Sequence, residues 1–249
     1  MLTVKDLALS YGGATPVLEG VSLTVARGQF VSLVGPSGSG KSSLLRAIMG
    51  LQPIQAGSIE TDVKRDDIGM LFQDDALLPW RTAEENVALG LRLKGVAKGT
   101  AIASARQWLT RLNLYGLSER FPRQLSGGQR KRVALAQVLA REPKFLLMDE
   151  PFASLDAIVR ARVTQDLMRL VEQRGISVLL VTHDLEEALA LSDLVCLMSL
   201  GPRAQISGYY EVKLPRPRDA MKVRSHPDFA PLLQRLWTDL SREVGGRAA

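Results

Sequence analysis

The chain has 249 residues, 46% apolar and 23% charged, a globular composition and not that of a disordered polymer. Its 32 basic and 26 acidic residues leave a charge of +6, compatible with nucleotides, nucleic acid or an acidic surface and selective for none. No apolar run approaches the roughly 18 residues of a bilayer span, a single cysteine excludes an internal disulfide or a zinc site of several thiolates, and Lys5 and Asp6 fall where a signal peptide needs apolar residues, so a cytosolic chain is expected.

In chain order, Leu2, Val4 and Leu7 read as a strand before a turn at Tyr11-Gly12-Gly13. Val17–Val25 alternates partly, and Phe30–Val34 is a compact apolar run ending at Gly35. A Gly-rich turn leads into Ser42–Met49, where Leu44, Leu45 and Ile48 have helical spacing; Ile59–Thr61 and Ile68–Phe72 read as strands. From about Ala83 to Ala140 the pattern is helical, through Val87 and Leu91, then Trp108, Leu109 and Leu112, then Val133, Leu135 and Leu139. Breaks fall at Gly95, Gly116, Pro122 and Gly127-Gly128. This predicts a helical insertion in an α/β body. Strands return at Phe145–Met148 and Ile176–Val181 around a helical Ile158–Val171, an order that predicts a parallel, doubly wound sheet. Cys196, in the apolar run Leu194–Met198, reads as inert core. After Gly208 comes a Pro- and Arg-rich stretch, LPRPRD. A last helix then carries Phe229, Leu232, Leu233, Leu236, Trp237 and Leu240 on one stripe, expected to pack on the body because its polar face is mixed in charge. His226, beside Pro227, reads as surface.

Gly35-Pro36-Ser37-Gly38-Ser39-Gly40-Lys41-Ser42 fits G-x-x-x-x-G-K-[ST], between an apolar strand and an amphipathic helix. The glycines let the backbone turn tightly and aim N–H groups at phosphate oxygens. The helix start adds the positive end of its dipole. Lys41 is expected on the β- and γ-phosphates, the Ser42 hydroxyl on Mg²⁺, and Ser43 beside it in the nucleotide site. Asp149-Glu150-Pro151 follows the strand Phe145–Met148. In such a fold a neighbouring strand delivers an acid toward Mg²⁺, the role expected of Asp149; Glu150 is expected to orient or deprotonate an attacking water.

Leu125-Ser126-Gly127-Gly128-Gln129 opens a helical segment and forms a second anion-binding turn. One phosphate loop with two phosphate-gripping turns suggests that the second serves a nucleotide held by another subunit. With these motifs the chain resembles the ATP-binding cassette (ABC) ATPases, the nucleotide-binding subunits of ABC transporters, over roughly residues 1–205. The resemblance implies a P-loop NTPase core with a mixed sheet, an N-terminal antiparallel β-subdomain and an inserted α-helical subdomain at about 83–140. Residues 206–249 would be a short tail with an amphipathic helix.

Further roles follow from the resemblance. Tyr11 matches the aromatic residue that stacks on adenine. Gln73, in Leu71-Phe72-Gln73-Asp74, matches the glutamine that contacts Mg²⁺ and the attacking water and opens the loop that senses the membrane subunit. Ser154-Leu155-Asp156 matches the loop that crosses the dimer interface, and His183 the switch histidine on the γ-phosphate. One departure is Gln137, where family members usually carry Arg; the run Arg130-Lys131-Arg132 is adjacent and could cover that role. ATP and Mg²⁺ are the implied cofactors. The implied partners are a second cassette, identical or not, separate permease subunits and, indirectly, a solute-binding protein, with no nucleic acid. The site would be the cytoplasmic face of the membrane.

Ala76-Leu77-Leu78-Pro79-Trp80, then Glu84-Glu85-Asn86-Val87, suggests a docking groove for a partner helix. Together with Leu214–Asp219 it resembles the nitrate, sulfonate and taurine importer group. The alternatives are a cassette for another small solute or for an exporter. The segment between the phosphate loop and LSGGQ is too short for the coiled coils of chromosome-organising relatives. A purely regulatory module would lack Glu150 or His183. No long C-terminal regulatory domain is expected.

Overall fold

The computed structural model describes residues 1–13, 15–153, 155–219 and 222–245. In chain order the elements are β1 (Leu2–Leu9), β2 (Leu18–Val25), β3 (Phe30–Val34), α1 (Lys41–Ile48), β4 (Ala56–Thr61), β5 (Ile68–Leu71), α2 (Ala83–Leu93), α3 (Lys98–Arg111), α4 (Gly127–Leu139), β6 (Phe145–Asp149), α5 (Ala157–Arg174), β7 (Ser177–Val181), α6 (Leu185–Leu191), β8 (Leu194–Met198), β9 (Ile206–Glu211) and α7 (Phe229–Gly245). They form two compact units, one of Met1–Arg65 with Gln165–Ala249, the other of Asp66–Thr164, with the boundary inside α5.

The first unit carries an antiparallel sheet in the order β2-β1-β4. In β1 the buried residues are Leu2, Val4, Leu7 and Leu9, a period of two that slips by one residue. The register with β2 shifts at that place, between Val4 and Leu7, and Asp6 takes a positive φ of 45°. The irregularity absorbs the extra residue and returns Leu7 to the inner face. A second group of strands, β7-β3-β8-β9, has β3 fully buried between parallel neighbours. Its continuous apolar run is what a strand covered on both faces requires. β9 adds an antiparallel edge, a strand that the sequence reading left in the tail. The parallel strands and this edge together make the mixed sheet that the resemblance implied.

Helix α7 packs on this unit. Phe229 and Leu236 are buried, and Leu232, Leu233 and Leu240 lie against a core that includes Leu185, Leu189, Val195 and Tyr210. Trp237, expected on the same stripe, is instead exposed. It stands one residue, about 100° of helix rotation, beyond Leu236.

In the second unit β5 and β6 pair in parallel, with Ile68 opposite Phe145 and Leu71 opposite Met148. Helices α2, α3 and α4 pack together over Val87, Ala101, Trp108, Leu109 and Val133. The start of α2 is set by a capping box: Thr82 Oγ1 accepts from the Glu85 N–H, and Glu85 Oε2 accepts from the Thr82 N–H. Among the described residues no helix is long and apolar enough to cross a membrane.

Candidate functional site

In the first unit β3 runs into the phosphate loop. Gly35 has φ of 153°, and a Cβ there would stand 2.8 Å from the Met198 carbonyl oxygen. Gly40, at φ 83°, caps α1; a Cβ would stand 2.6 Å from Leu18 Cδ2. Neither position accepts a side chain without a shift in its surroundings. Lys41 is buried, and its ammonium lies within the loop, donating to Gly35 O at 2.9 Å, Pro36 O at 2.7 Å and Ser39 Oγ at 3.1 Å. A cation is therefore fixed where the loop and the α1 start both favour an anion. The Tyr11 hydroxyl donates to Ser43 Oγ at 2.9 Å, while the residue stays half exposed.

His183 belongs to the same unit. The pairing of Leu33 with Val181 places Gly35 and His183 just beyond the carboxyl ends of adjacent parallel strands. That end is where open α/β sheets bind ligands. The His183 turn is held by its neighbours: Asp184 N donates to Thr182 Oγ1, and Asp184 Oδ1 caps α6 through the Glu187 N–H.

The second unit repeats this placement with β5 and β6. Leu71 opposite Met148 brings Gln73 and Glu150 just beyond the carboxyl ends of those two strands. Asp149 is 3% exposed, and among the described residues its buried Oδ1 has no hydrogen-bond partner. A buried, unsatisfied carboxylate oxygen suits a hard divalent cation or its bound water, so the chemistry of Asp149 fits Mg²⁺. In the first unit the Ser42 hydroxyl is an oxygen donor of the kind such an ion takes. Glu150 has φ of 51°, a left-handed backbone costing roughly 1–3 kcal/mol in a residue with a side chain. Such strain concentrates at functional positions.

The LSGGQ turn caps α4. Ser126 Oγ accepts from the Gln129 N–H at 3.3 Å, and Gln129 Oε1 accepts from the Ser126 N–H at 2.8 Å. Gly127 and Gly128 are the first two residues of α4, so the glycine pair separates it from the preceding helices and opens it. Asp156 caps α5, its Oδ1 accepting from the Val159 N–H at 3.0 Å; Ser154 lies outside the described residues.

The run Arg130-Lys131-Arg132, offered by the sequence as cover for the Arg absent at Gln137, is engaged within its own unit. Arg130 donates to Asp75 and to Leu125 O, and Arg132 to Leu112 O and Asn113 O. Lys131 is 3% exposed, and burial pulls its pKa below the ordinary lysine value against the opposing field of Asp75 and Asp149. The sequence held a signal for this: Lys131 stands four and seven residues before the buried Leu135 and Val138, on the same helix face.

Asn86 was read as part of a docking motif; here it is fully buried and builds the preceding loop. Its Oδ1 accepts from the Leu78 N–H at 2.7 Å, and its Nδ2 donates to Leu78 O, Arg81 O and Thr82 O. The loop so held presents Trp80 at 70% exposure. A groove of about 230 Å³ in the same unit is lined by Phe72, Leu89, Leu93 and Val138, with Gln137 and Arg141 as polar walls.

A Lys-bearing phosphate loop after a buried parallel strand defines a P-loop nucleotide-binding protein. The model for the ABC transporter family matches residues 18–153, and the chain belongs to that family as an ATP-binding cassette of the ATPase type. It is 44% identical over 207 residues to the taurine import ATP-binding protein TauB of Escherichia coli O157:H7, covering 81% of each chain. It is 40% identical over 237 residues to the bicarbonate transport ATP-binding protein CmpC of Synechocystis, covering 92% of this chain but only 35% of that longer protein. Among solved structures, a dimeric post-hydrolysis state of the ATP-binding cassette MJ0796 bound to ADP and Pi superposes with a TM-score of 0.78 at 31% identity. The match covers 86% of this chain and 99% of that one.

Proposed function

We propose that this chain hydrolyses ATP as the motor subunit of an ABC importer for a small solute of the taurine, sulfonate, nitrate or bicarbonate kind. It would work as a dimer on the cytoplasmic face of the membrane. The observation that carries the reading is the pair of strand ends described above. One bears a fixed cation in a phosphate loop; the other bears a buried carboxylate oxygen without a partner beside a strained glutamate. Taurine and bicarbonate rest on the names of TauB and CmpC, sulfonate and nitrate on the sequence resemblance, and the dimer on the MJ0796 assembly.

In this mechanism Tyr11 faces adenine, and backbone N–H groups between Ser37 and Ser43 hold the phosphates. Lys41 exchanges its loop carbonyls for β- and γ-phosphate oxygens, where its charge offsets what develops during transfer. Ser42 and Asp149 would hold Mg²⁺, with Gln73 as a further contact, and the ion would supply positive charge against the phosphates. Glu150 accepts a proton from the attacking water, and His183 holds the γ-phosphate in line. Ser126–Gln129 of a second copy closes over the nucleotide, and Asp156 belongs to the interface loop. Because the γ-phosphate contacts exist only before cleavage, ATP favours the closed dimer and hydrolysis releases it. The groove below Phe72 and the loop carrying Trp80 are offered to a permease segment.

Replacing Glu150 with Gln tests the assignment. Turnover should fall by about 10²–10⁴-fold while ATP still binds, and ATP should then hold the variant as a dimer in analytical ultracentrifugation. Wild-type turnover in Glu150→Gln would remove Glu150 from the reaction.

A further inference from the structure

Lys131 occupies a position that the proposed mechanism does not use. It projects from the second turn of α4 and is 3% exposed. Its Nζ donates to Phe72 O at 2.8 Å and to Gln73 O at 2.8 Å, across a chain separation of 59 and 58 residues. One residue earlier, Arg130 donates through Nε to Asp75 Oδ2 at 3.2 Å. Two consecutive side chains of α4 thus grip residues 72–75 from the helix that begins with the LSGGQ turn.

The gripped segment has little else to hold it. Strand pairing ends at Leu71, and the next anchor is the Asn86 side chain on Leu78. Among the described residues, no loop or turn backbone hydrogen bond involves residues 72–77. A buried ammonium bonded to neutral carbonyls is an expensive way to fill space, since an apolar side chain of similar length would avoid the desolvation. What an ammonium adds is direction: two charge-assisted bonds define where the Gln73 backbone starts relative to α4.

We propose that Lys131 is a positioning residue that ties the Gln73 loop to the LSGGQ helix, so that the two move as one piece. Phe72 and Asp75, on either side of the clamp, also line the groove. A segment seated in the groove therefore bears on the same loop that Lys131 holds, and any displacement passes directly to the first turns of α4. The consequence for catalysis rests on the reading that Gln73 serves the attacking water; the mechanical tie does not.

The test uses the full chain with Lys131→Met, which keeps length and removes the donors, and Lys131→Arg, which restores them. Backbone NMR order parameters, urea unfolding, ATP affinity and ATP turnover are measured on each. Lys131→Met should lower the order parameters of residues 72–77 from the rigid range, about 0.85, to below about 0.6, with α2 and β6 little changed. At saturating ATP its turnover should fall by about tenfold, with ATP affinity within about twofold of wild type. Lys131→Arg should recover most of both losses. Unchanged order parameters in 72–77, or a drop spread evenly over the unit that Lys131→Arg fails to reverse, would overturn the proposal. Should Lys131→Met fail to fold, the same comparison is made on Lys131→Gln, which keeps an uncharged amide donor on a shorter side chain and should give an intermediate drop. A wild-type chain that hydrolyses no ATP would count against the proposed function, and the order parameters would still decide the role of Lys131.

Discussion

Arg218 offers a sharp test of how the tail is attached. It is 3% exposed, although it lies in the Pro- and Arg-rich stretch after β9. Its Nη1 donates to Leu191 O at 3.1 Å and to Ser192 O, and its Nη2 to Val212 O at 3.1 Å and Leu214 O at 3.3 Å. Nη2 also stands 3.2 Å from Asp193 Oδ1. Asp193 in turn accepts from the Phe30 N–H at 2.9 Å, at the start of the strand that carries the phosphate loop. Arg218→Met would leave several carbonyls without a donor but would not strip Asp193 of partners, since Arg216 and Phe30 remain. Removing one member of a buried ionic network costs about 3–5 kcal/mol, which for a domain of this size lowers Tm by roughly 6–20 °C. Arg216→Met is the control. That side chain is about a third exposed, and solvent screening should hold its loss to about 0–1 kcal/mol. Urea and thermal unfolding of the three proteins decide the matter. A loss below about 1 kcal/mol for Arg218→Met, or equal losses for the two variants, would refute the reasoning, because water would then be replacing the guanidinium without penalty.

Three further outcomes are expected. Lys41→Met should weaken ATP binding by about tenfold or more, about 1.4 kcal/mol, in an equilibrium titration; unchanged affinity would contradict its place in the loop. Cys196 is fully buried, and burial pushes its thiol up to about 12, so a thiol reagent should leave the native chain unmodified and label it fully in denaturant; rapid native labelling would mean that β8 opens readily. Asp62 is held down to about 2 by hydrogen bonds from the chain's N-terminal ammonium and from Arg27. Its folded pKa is depressed, so its contribution is present above the ordinary carboxylate pKa and is lost as pH falls toward about 2. An NMR titration of the Asp62 carboxyl should show that midpoint and its rise in Arg27→Ala.

The parts legible in the sequence are those whose chemistry depends on local spacing. The phosphate loop shows because Gly35, Gly40 and Lys41 are each required by contacts within a few residues or by a fixed backbone turn. The strand runs Phe30–Val34 and Phe145–Met148 show because burial on both faces leaves no polar interruption. What escaped was set by partners far along the chain. β9 has an exposed face and pairs only at the edge with β8, so its pattern in ISGYYE is weak. Asn86 reads like any polar residue in a motif until its four bonds to the preceding loop are seen.

The basic residues make the same point more sharply. Charge counted as a net +6 suggests a surface that attracts anions. Yet Lys41, Lys131 and Arg218 are all buried, and each spends its donors on backbone carbonyls. At Lys41 the carbonyls belong to the loop itself, within six residues, so an incoming phosphate can replace them without unlinking distant elements. At Lys131 both carbonyls belong to a segment remote in sequence, and at Arg218 those of Leu191 and Ser192 do, so replacing them would undo an attachment; Arg218 also holds Val212 O and Leu214 O close by in the chain. A bond to a remote segment is therefore what marks a positioning cation. By that criterion the +6 is partly internal, and its value as a guide to partners is correspondingly small.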